Sequence, residues 1–512
     1  MKHFNKISSI PLTLAVTVIG RLALPAQTWQ TADDFALPFG HAEAHGVATD
    51  STGGVYVVGT ADGHGIVRYS ANGGSNWITR DDYIFLAPDI SNGFNAVTVD
   101  NQGSVFVGGS SGGHWIVRRS TDQGTAWETV DDYWRPSNPQ GEPGTNGVVY
   151  SLCADSQGRV YAAGSLWPTD CQSCNTLCIR GSGIGGTNWD NNLAMPSGFN
   201  GMPQITCIGQ DVFAAGRTDG YGAYSLGLIL RSTDQGATWT TIFVATNDVH
   251  TTITADPNGN LYSAGAGWGS NSINWLVRQS VPGGTNWTTL DGSSYAEEPP
   301  VSLGQPYAAY VGVNSIAADA GGNVAVAGNL FVRWFVSYTN GAVYGSDQTW
   351  VTGQYSAATG QWSTTDQFFL STNRQGSANC STFAPSGSLF AVGYGTGESG
   401  KRRWIVRQRA APSPVELTGT LEVEVNDLIT RSAIAREPGR LLLALLDKIT
   451  ADIGQGDSAS ACKRSSTFTH KVQQLMKQGT LAQSDGQLLL NGTDNLRLRL
   501  GCATGPEDME QQ

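Results

Sequence analysis

Basic side chains are in deficit. Lys and Arg number 30 against 42 Asp and Glu, for a formal net charge of -12, and no basic stripe runs along the chain. This excludes a nucleic-acid surface that tracks phosphates. Charged residues of both signs make up only 14% of the chain, too few for long helices laced with salt bridges. Long hydrophobic runs are missing as well: the most apolar stretch, 7–19, falls short of the roughly 20 residues a membrane-spanning helix needs. The 7 histidines are scattered. His64 and His114 recur at equivalent points of a repeat and are expected to pack loops, so neither a metal nor a cofactor is expected.

Glycine is abundant, at 65 residues, beside an apolar fraction of 40%. That pairing suits short strands joined by tight turns around a substantial core. At the N-terminus, Lys2 and Lys6 precede the apolar run, and Leu24-Pro25-Ala26 offers a small residue at a cleavage position. Residues 1–26 therefore read as a secretory signal peptide, and the mature protein is expected outside the cytoplasm, extracellular or periplasmic, with no transmembrane segment.

One short apolar motif ending in glycine occurs seven times, at 55–59, 105–109, 160–164, 212–216, 261–265, 324–328 and 389–393. An apolar segment and a turn precede each copy, as in Asp50-Ser51-Thr52-Gly53-Gly54, where glycine tolerates the positive φ of a hairpin. After a variable loop comes a second apolar segment, which ends on Arg68, Arg118, Arg231, Arg278 or Arg407 in five units. A further turn leads to a strand headed by Trp77, Trp127, Trp189, Trp239, Trp287 or Trp362. Four short strands per unit make one blade of a β-propeller. The seventh unit lacks its last strand, and Trp29-Gln30-Thr31-Ala32-Asp33-Asp34-Phe35 copies that strand ahead of the first unit. Residues 27–410 are thus expected to form an all-β, seven-bladed β-propeller closed by an N-terminal strand, which removes the open edge.

The turn between the third and fourth strands carries a resemblance. Ser120-Thr121-Asp122-Gln123-Gly124-Thr125-Ala126-Trp127 and Ser232-Thr233-Asp234-Gln235-Gly236-Ala237-Thr238-Trp239 resemble the Asp-box repeats of bacterial neuraminidases. Asn72 replaces the aspartate in the first unit, and the turns at 182–189 and 280–287 keep only the serine, glycine and tryptophan. The resemblance implies structural roles for Ser120, Asp122, Gly124 and Trp127, and for Ser232, Asp234, Gly236 and Trp239. It does not select an activity.

These turns would occupy one face of the ring and the longer loops the other. A sialidase-like site would need converging arginines with a tyrosine, a glutamate and an aspartate. The five repeated arginines lie at the level of the turns and are expected to pair with carboxylates across strands. Arg135, Arg217, Arg374, Glu297 and Glu298 fall on the loop side, without a recognisable catalytic pattern. Trp134, Trp167, Trp268 and Trp350 stand outside the repeat positions. Trp134, Trp167 and Trp268, with Tyr221, Tyr307 and Tyr310, are expected on the loop face, where rings can stack on sugars or anchor a protein. The expected function is a monomeric module that binds an extracellular glycan or protein. A sialidase-like glycoside hydrolase is the alternative.

Eight cysteines in an exported chain read as disulfides. Cys171, Cys174 and Cys178 are expected to staple the long insertion of blade three. Cys153 and Cys207 fall on the inner segments of blades three and four, and the pairing among these and Cys380 stays open. Beyond the propeller, 411–435 reads as a linker with a possible short strand, from the alternation of Leu421, Val423 and Val425. Helical periodicity follows at 440–453, 460–477 and 484–500, giving a small, mainly α-helical domain over 436–505 and a disordered tail at 506–512. Ala461-Cys462-Lys463, Phe468, Val472-Gln473-Gln474-Leu475 and Leu488-Leu489-Leu490 resemble FIMAH-type modules of bacterial secreted proteins. Cys462 and Cys502 are candidates to bridge its ends.

Overall fold

The computed structural model describes residues 28–502 apart from 39, 85–92, 135–144, 169–175, 190, 195–198, 219–225, 246–247, 268–273, 295–304, 339–340, 358–359 and 373–374. Seven four-stranded antiparallel sheets form a seven-bladed β-propeller, and four helices follow it. Blade one runs from its inner strand Ala42–Thr49 through Val55–Ala61 and His64–Ser70 to the outer Ile78–Tyr83. The last sheet takes its outer strand from the other end of the chain. Trp29–Phe35 pairs antiparallel with Arg402–Arg409, with Trp29 opposite Arg409 and Phe35 opposite Trp404.

The recurring glycine has a packing reason. A Cβ on Gly59 would stand 2.0 Å from the Glu43 carbonyl of the inner strand and 2.6 Å from the indole of Trp404 in blade seven. Gly164 meets Trp115 of blade two in the same way. Gly59, Gly164 and Gly393 thus leave room for a tryptophan of the neighbouring blade, and Trp404, Trp115 and Trp350 are fully buried there. Trp350, which the repeat pattern leaves unassigned, belongs to this series. It lies opposite Asn329, just past Gly328, as Trp404 lies opposite Tyr394, just past Gly393. Blade six hides the correspondence because its second and third strands, Val324–Tyr338 and Gly341–Ser356, run to 15 and 16 residues.

The segment expected as a linker with a strand is a helix. Pro414–Thr430 forms α1, started by a capping box in which Ser413 and Glu416 satisfy each other's backbone N–H groups, with proline in the first turn. Leu417, Leu421, Val425 and Leu428 recur at helical spacing and are buried, whereas Val423 is 54% exposed. The apparent alternation was two buried positions either side of an exposed one. α1 packs with α2 (Arg436–Gly454), α3 (Ser458–Lys477) and α4 (Gln483–Leu500) around Phe468, Leu442 and Leu446. A disulfide between Cys462 and Cys502, Cα atoms 5.5 Å apart, ties the start of α3 to the end of α4. α4 seats against the turn face of blades six and seven: Arg499 donates to the Pro385 carbonyl at 3.3 Å, and a Cβ on Gly360 would lie 3.6 Å from Leu488.

Candidate functional site

The repeated arginines face inward between blades. Arg68 donates to Asp33 at 2.5 and 2.8 Å, Arg118 to Asp81, Arg180 to Asp131 at 2.7 Å twice and Arg407 to Asp366. In each case the aspartate sits on the outer strand of the preceding blade. The guanidinium also lies over an aromatic ring of that strand, with Phe35, Tyr83, Tyr133 and Phe368 at 4.2 to 4.5 Å, and Arg68, Arg118 and Arg407 reach a threonine of their own blade. These side chains are consumed by the scaffold.

The turns between third and fourth strands are similarly occupied. Ser120 Oγ donates to Asp122 at 2.8 Å and accepts from Gly124 N–H at 2.8 Å, while Asp122 accepts from Ala126 N–H at 2.9 Å and Trp127 Nε1 donates to the Gly124 carbonyl. Ser232, Asp234 and Gly236 repeat the pattern. Gln123 and Gly124 both take positive φ, 57° and 81°, as do Gln235 and Gly236. The backbone N–H of Ala126 holds Asp122 below its ordinary carboxylate value, and Thr238 does so for Asp234.

On the opposite, loop-bearing face, two arrangements stand out among the described residues. The first is in blade two, where the indole of Trp134 is 42% exposed and stacks on His114, ring centres 4.9 Å apart and planes within 9°. Asp132 fixes the imidazole through Nδ1 at 2.6 Å. Blade one has the same His64–Asp82 pair at 2.6 Å but Ile84 in place of the tryptophan. The second lies where blades seven and one meet. Arg402 donates to Glu43 at 2.5 Å, lies 4.4 Å over the ring of Tyr394, and gives its backbone N–H to His41 Nδ1 at 3.1 Å, which puts the His41 proton on Nε2. Two residues along from Glu43, His45 sits on the innermost strand, where burial holds its imidazole below the ordinary value. Nothing in the chain marks this cluster, because the repeat motifs leave Glu43, His45 and Arg402 out and Arg402 reaches the other two only through ring closure.

Of the predicted aromatics, Trp167 is half-buried on the second strand of blade three, opposite Asn146. Tyr307 and Tyr310 lie on the inner strand of blade six, Gln305–Ala318, and their side chains are outside the described ones. Trp268, Tyr221, Arg135, Arg374, Glu297 and Glu298 lie outside the described residues, and Arg217 is exposed at the loop end of its strand.

The cysteines need one correction. Cys178 is not a disulfide partner: it is a buried thiol in the core between blades two and three, with Trp115, Ala162 and Trp189. Burial pushes it up to about 12. It projects into the seam because it lies opposite Gly164 on a regular strand. Cys153 and Cys207 form the bridge instead, joining the inner strands of blades three and four with Cα atoms 5.7 Å apart. Cys171 and Cys174 lie outside the described residues.

The seven inner strands enclose a central channel whose turn-side part holds about 350 Å³, lined by residues such as Val47, Leu152, Ile316 and Phe383. A groove of about 410 Å³ between α2 and α3 is lined by Leu441, Leu445, Lys448, His470 and Lys471. Among the described residues no cluster of three or more His, Cys, Asp or Glu side chains is placed to hold a metal, and no helix is long and apolar enough to cross a membrane.

No family model matches the chain, and no curated protein sequence does. Among solved structures it is similar to an oligogalacturonate lyase in complex with manganese, at 10% identity and a TM-score of 0.44 over 75% of this chain and 97% of that one. It is also similar to a catalytically inactive virginiamycin B lyase from Staphylococcus aureus with quinupristin, at 11% identity and a TM-score of 0.40 over 75% and 100%. A Hadza microbial sialidase gives 12% identity and 0.36 over 68% and 73%. Likenesses at this level carry no argument about activity.

Proposed function

We propose that the propeller is a secreted binding module whose loop face recognises an extracellular glycan or a glycan-bearing protein. The observation that carries this is the exposed indole of Trp134, held flat on His114 with Asp132 at its edge. A large ring left accessible on a rigid support costs surface that a purely structural tryptophan would bury, and it offers a stacking face bordered by a hydrogen-bonding carboxylate. The turns built on Ser120, Asp122, Gly124 and Trp127 and on their blade-four counterparts fit the Asp-box type, and the helical domain fits a FIMAH-like accessory module. We read 27–410 as one unit acting as a monomer, preceded by the signal peptide 1–26, with the two disulfides consistent with an oxidising compartment.

A glycan array followed by titration calorimetry tests the reading. Trp134→Ala is expected to weaken the best ligand by about tenfold or more. Unchanged affinity, or an array with no signal, counts against it. A sialidase-like glycoside hydrolase is the second reading, favoured by the Glu43, Arg402 and Tyr394 cluster on the same face. Turnover of sialosides or β-glucans by the full chain would replace the first reading with the second.

A further inference from the structure

Six of the seven inner strands carry a one-residue β-bulge, at His45, Asn95, Tyr150, Thr251, Asn314 and Asn379, while blade four shifts register between Asn200 and Gln204 instead. Asn95 Nδ2 donates to the Val149 carbonyl at 2.8 Å, Thr251 Oγ1 to Val313 at 3.2 Å, Asn314 Nδ2 to Ala378 at 2.8 Å and Asn379 Nδ2 to Ala44 at 2.8 Å. Every one of these acceptors is the residue just before the bulge in the next blade. These four bonds make a partial belt around the channel, tying blade two to three, five to six, six to seven and seven to one. Blade three replaces the asparagine with Tyr150, which accepts from Ser165 at 3.1 Å, and that blade is clipped to blade four by the Cys153–Cys207 disulfide instead.

Blade one departs without such a substitute. Its bulge residue is His45, between Ala44 and Gly46, and no hydrogen bond ties its ring to any described residue. An asparagine here would reach the Phe94 carbonyl, the counterpart of Val149. The chain therefore forgoes a belt bond and places an unengaged imidazole deep in the ring. His45 is partly exposed, on a strand that lines the channel. Two residues nearer the loop face stand Glu43 and Arg402, 16% and 46% exposed, fixed against each other and against Tyr394.

We propose that His45, Glu43 and Arg402 form a saccharide subsite at the loop-side mouth of the central channel, taking one neutral, hydroxyl-rich sugar residue. The proposal rests on the glycan reading above and names the ligand class. A carboxylate acceptor beside a guanidinium donor, each oriented by the other, suits two adjacent hydroxyls, which both donate and accept. A neutral imidazole adds one donor and one acceptor from below. A uronate would instead bring its carboxylate against Glu43, a repulsion that the already neutralised Arg402 does not offset. A residue kept for function where the scaffold repeat prescribes a stabilising one is the expected signature of a site.

The test is calorimetric titration of the full chain with neutral and uronate-containing oligosaccharides of equal length, using wild type, His45→Asn, Glu43→Gln and Trp134→Ala, with thermal melts of each. Neutral sugars are expected to bind wild type and to lose about tenfold or more in affinity with His45→Asn and with Glu43→Gln. His45→Asn is also expected to raise the thermal midpoint by about 1–3 °C as the belt bond is restored, whereas Trp134→Ala weakens binding without that rise. Wild-type affinity in His45→Asn, a lowered midpoint in that variant, or binding confined to uronates overturns the proposal. Sugar binding that is lost in Trp134→Ala and kept in His45→Asn overturns the subsite alone. A wild type that binds no sugar overturns the glycan reading and the subsite with it.

Discussion

The seams on either side of blade one and those on either side of blade four are made from the same four-stranded units, yet they close by different chemistry. Around blade one, Arg68 reaches back to Asp33 and Arg118 to Asp81, each beneath the face of an aromatic ring. Around blade four the residues at the clasp positions differ. In blade four Leu230, opposite Ala214, holds the position that Arg118 holds opposite Val107, and Arg231 stands one residue on, at the register of Arg119, where it pairs with Asp211 within its own blade at 2.5 Å. At the next seam Phe243 stands where Asp81 stands in blade one, and Arg278 lies over its ring at 5.1 Å. The third-strand arginine of blade five thus keeps its stem and planar head in the seam against an aromatic ring where the aspartate position holds Phe243. The Cys153–Cys207 bridge stands at the seam between blades three and four, where Leu230 takes the arginine's place.

Breaking the ring where it closes should have the largest effect. Deleting 28–36 removes the strand that pairs with Arg402–Arg409 and with it Asp33, the partner of Arg68. The propeller is then expected to lose its cooperative melt and become protease-sensitive at 25 °C, read by circular dichroism and limited proteolysis. A wild-type midpoint would show that the ends do not hold the ring.

The buried clasp between blades should outweigh the more exposed pair within blade four. Arg180 and Asp131 are only 6% and 4% exposed, so Arg180→Ala strands a buried carboxylate and is expected to cost about 3–5 kcal/mol in denaturant unfolding. Arg231 and Asp211 are 31% and 24% exposed, and Arg231→Ala should cost about 1 kcal/mol or less. Equal losses would erase the distinction between the two halves. Between these extremes, replacing both Cys153 and Cys207 with alanine is expected to cost about 2–4 kcal/mol. Hydrogen exchange should then rise in Thr145–Ala154 and Phe199–Ile208 but not in Ala42–Thr49.

The same contrast explains what could be read from the chain. Seven units and the closing strand were legible because the glycine, the tryptophans and the arginines answer to packing rules that repeat with the blade. Partners across a seam were not: Arg68 and Asp33 are 35 residues apart and Arg180 and Asp131 are 49, so nothing local marks them as a pair. Trp350 was missed because long strands in blade six shift it away from its expected spacing, while the helix at Pro414–Thr430 was missed although Ser413, Pro414 and Glu416 spell its start. Of the loop face, Trp134 stood out by breaking the repeat. Glu43, His45 and Arg402 did not, because a β-bulge leaves no trace in hydrophobic pattern and ring closure alone brings blade seven to blade one.

The smallest expected effect separates turn chemistry from seam chemistry. Blades two and four, one in each half, share the turn aspartate, whereas blade one has Asn72, whose Oδ1 accepts from Asn76 N–H at 2.9 Å much as Asp122 accepts from Ala126. Hydrogen bonds hold Asp122 and Asp234 below their ordinary value of 3.8. A carboxylate with a lowered folded-state value adds stability above 3.8, and that stability is lost as pH falls through the lowered value. Acid should therefore loosen the turns of blades two and four and leave that of blade one unaffected. Amide exchange at Ala126 and Thr238, corrected for intrinsic rate, is expected to speed up between pH 5 and about pH 2, while Asn76 stays constant and Asp122→Asn makes Ala126 behave like Asn76. If Asn76 loosened in step with the others, the acid response would belong to the ring as a whole, and the clasping aspartates at its seams would be the groups to follow.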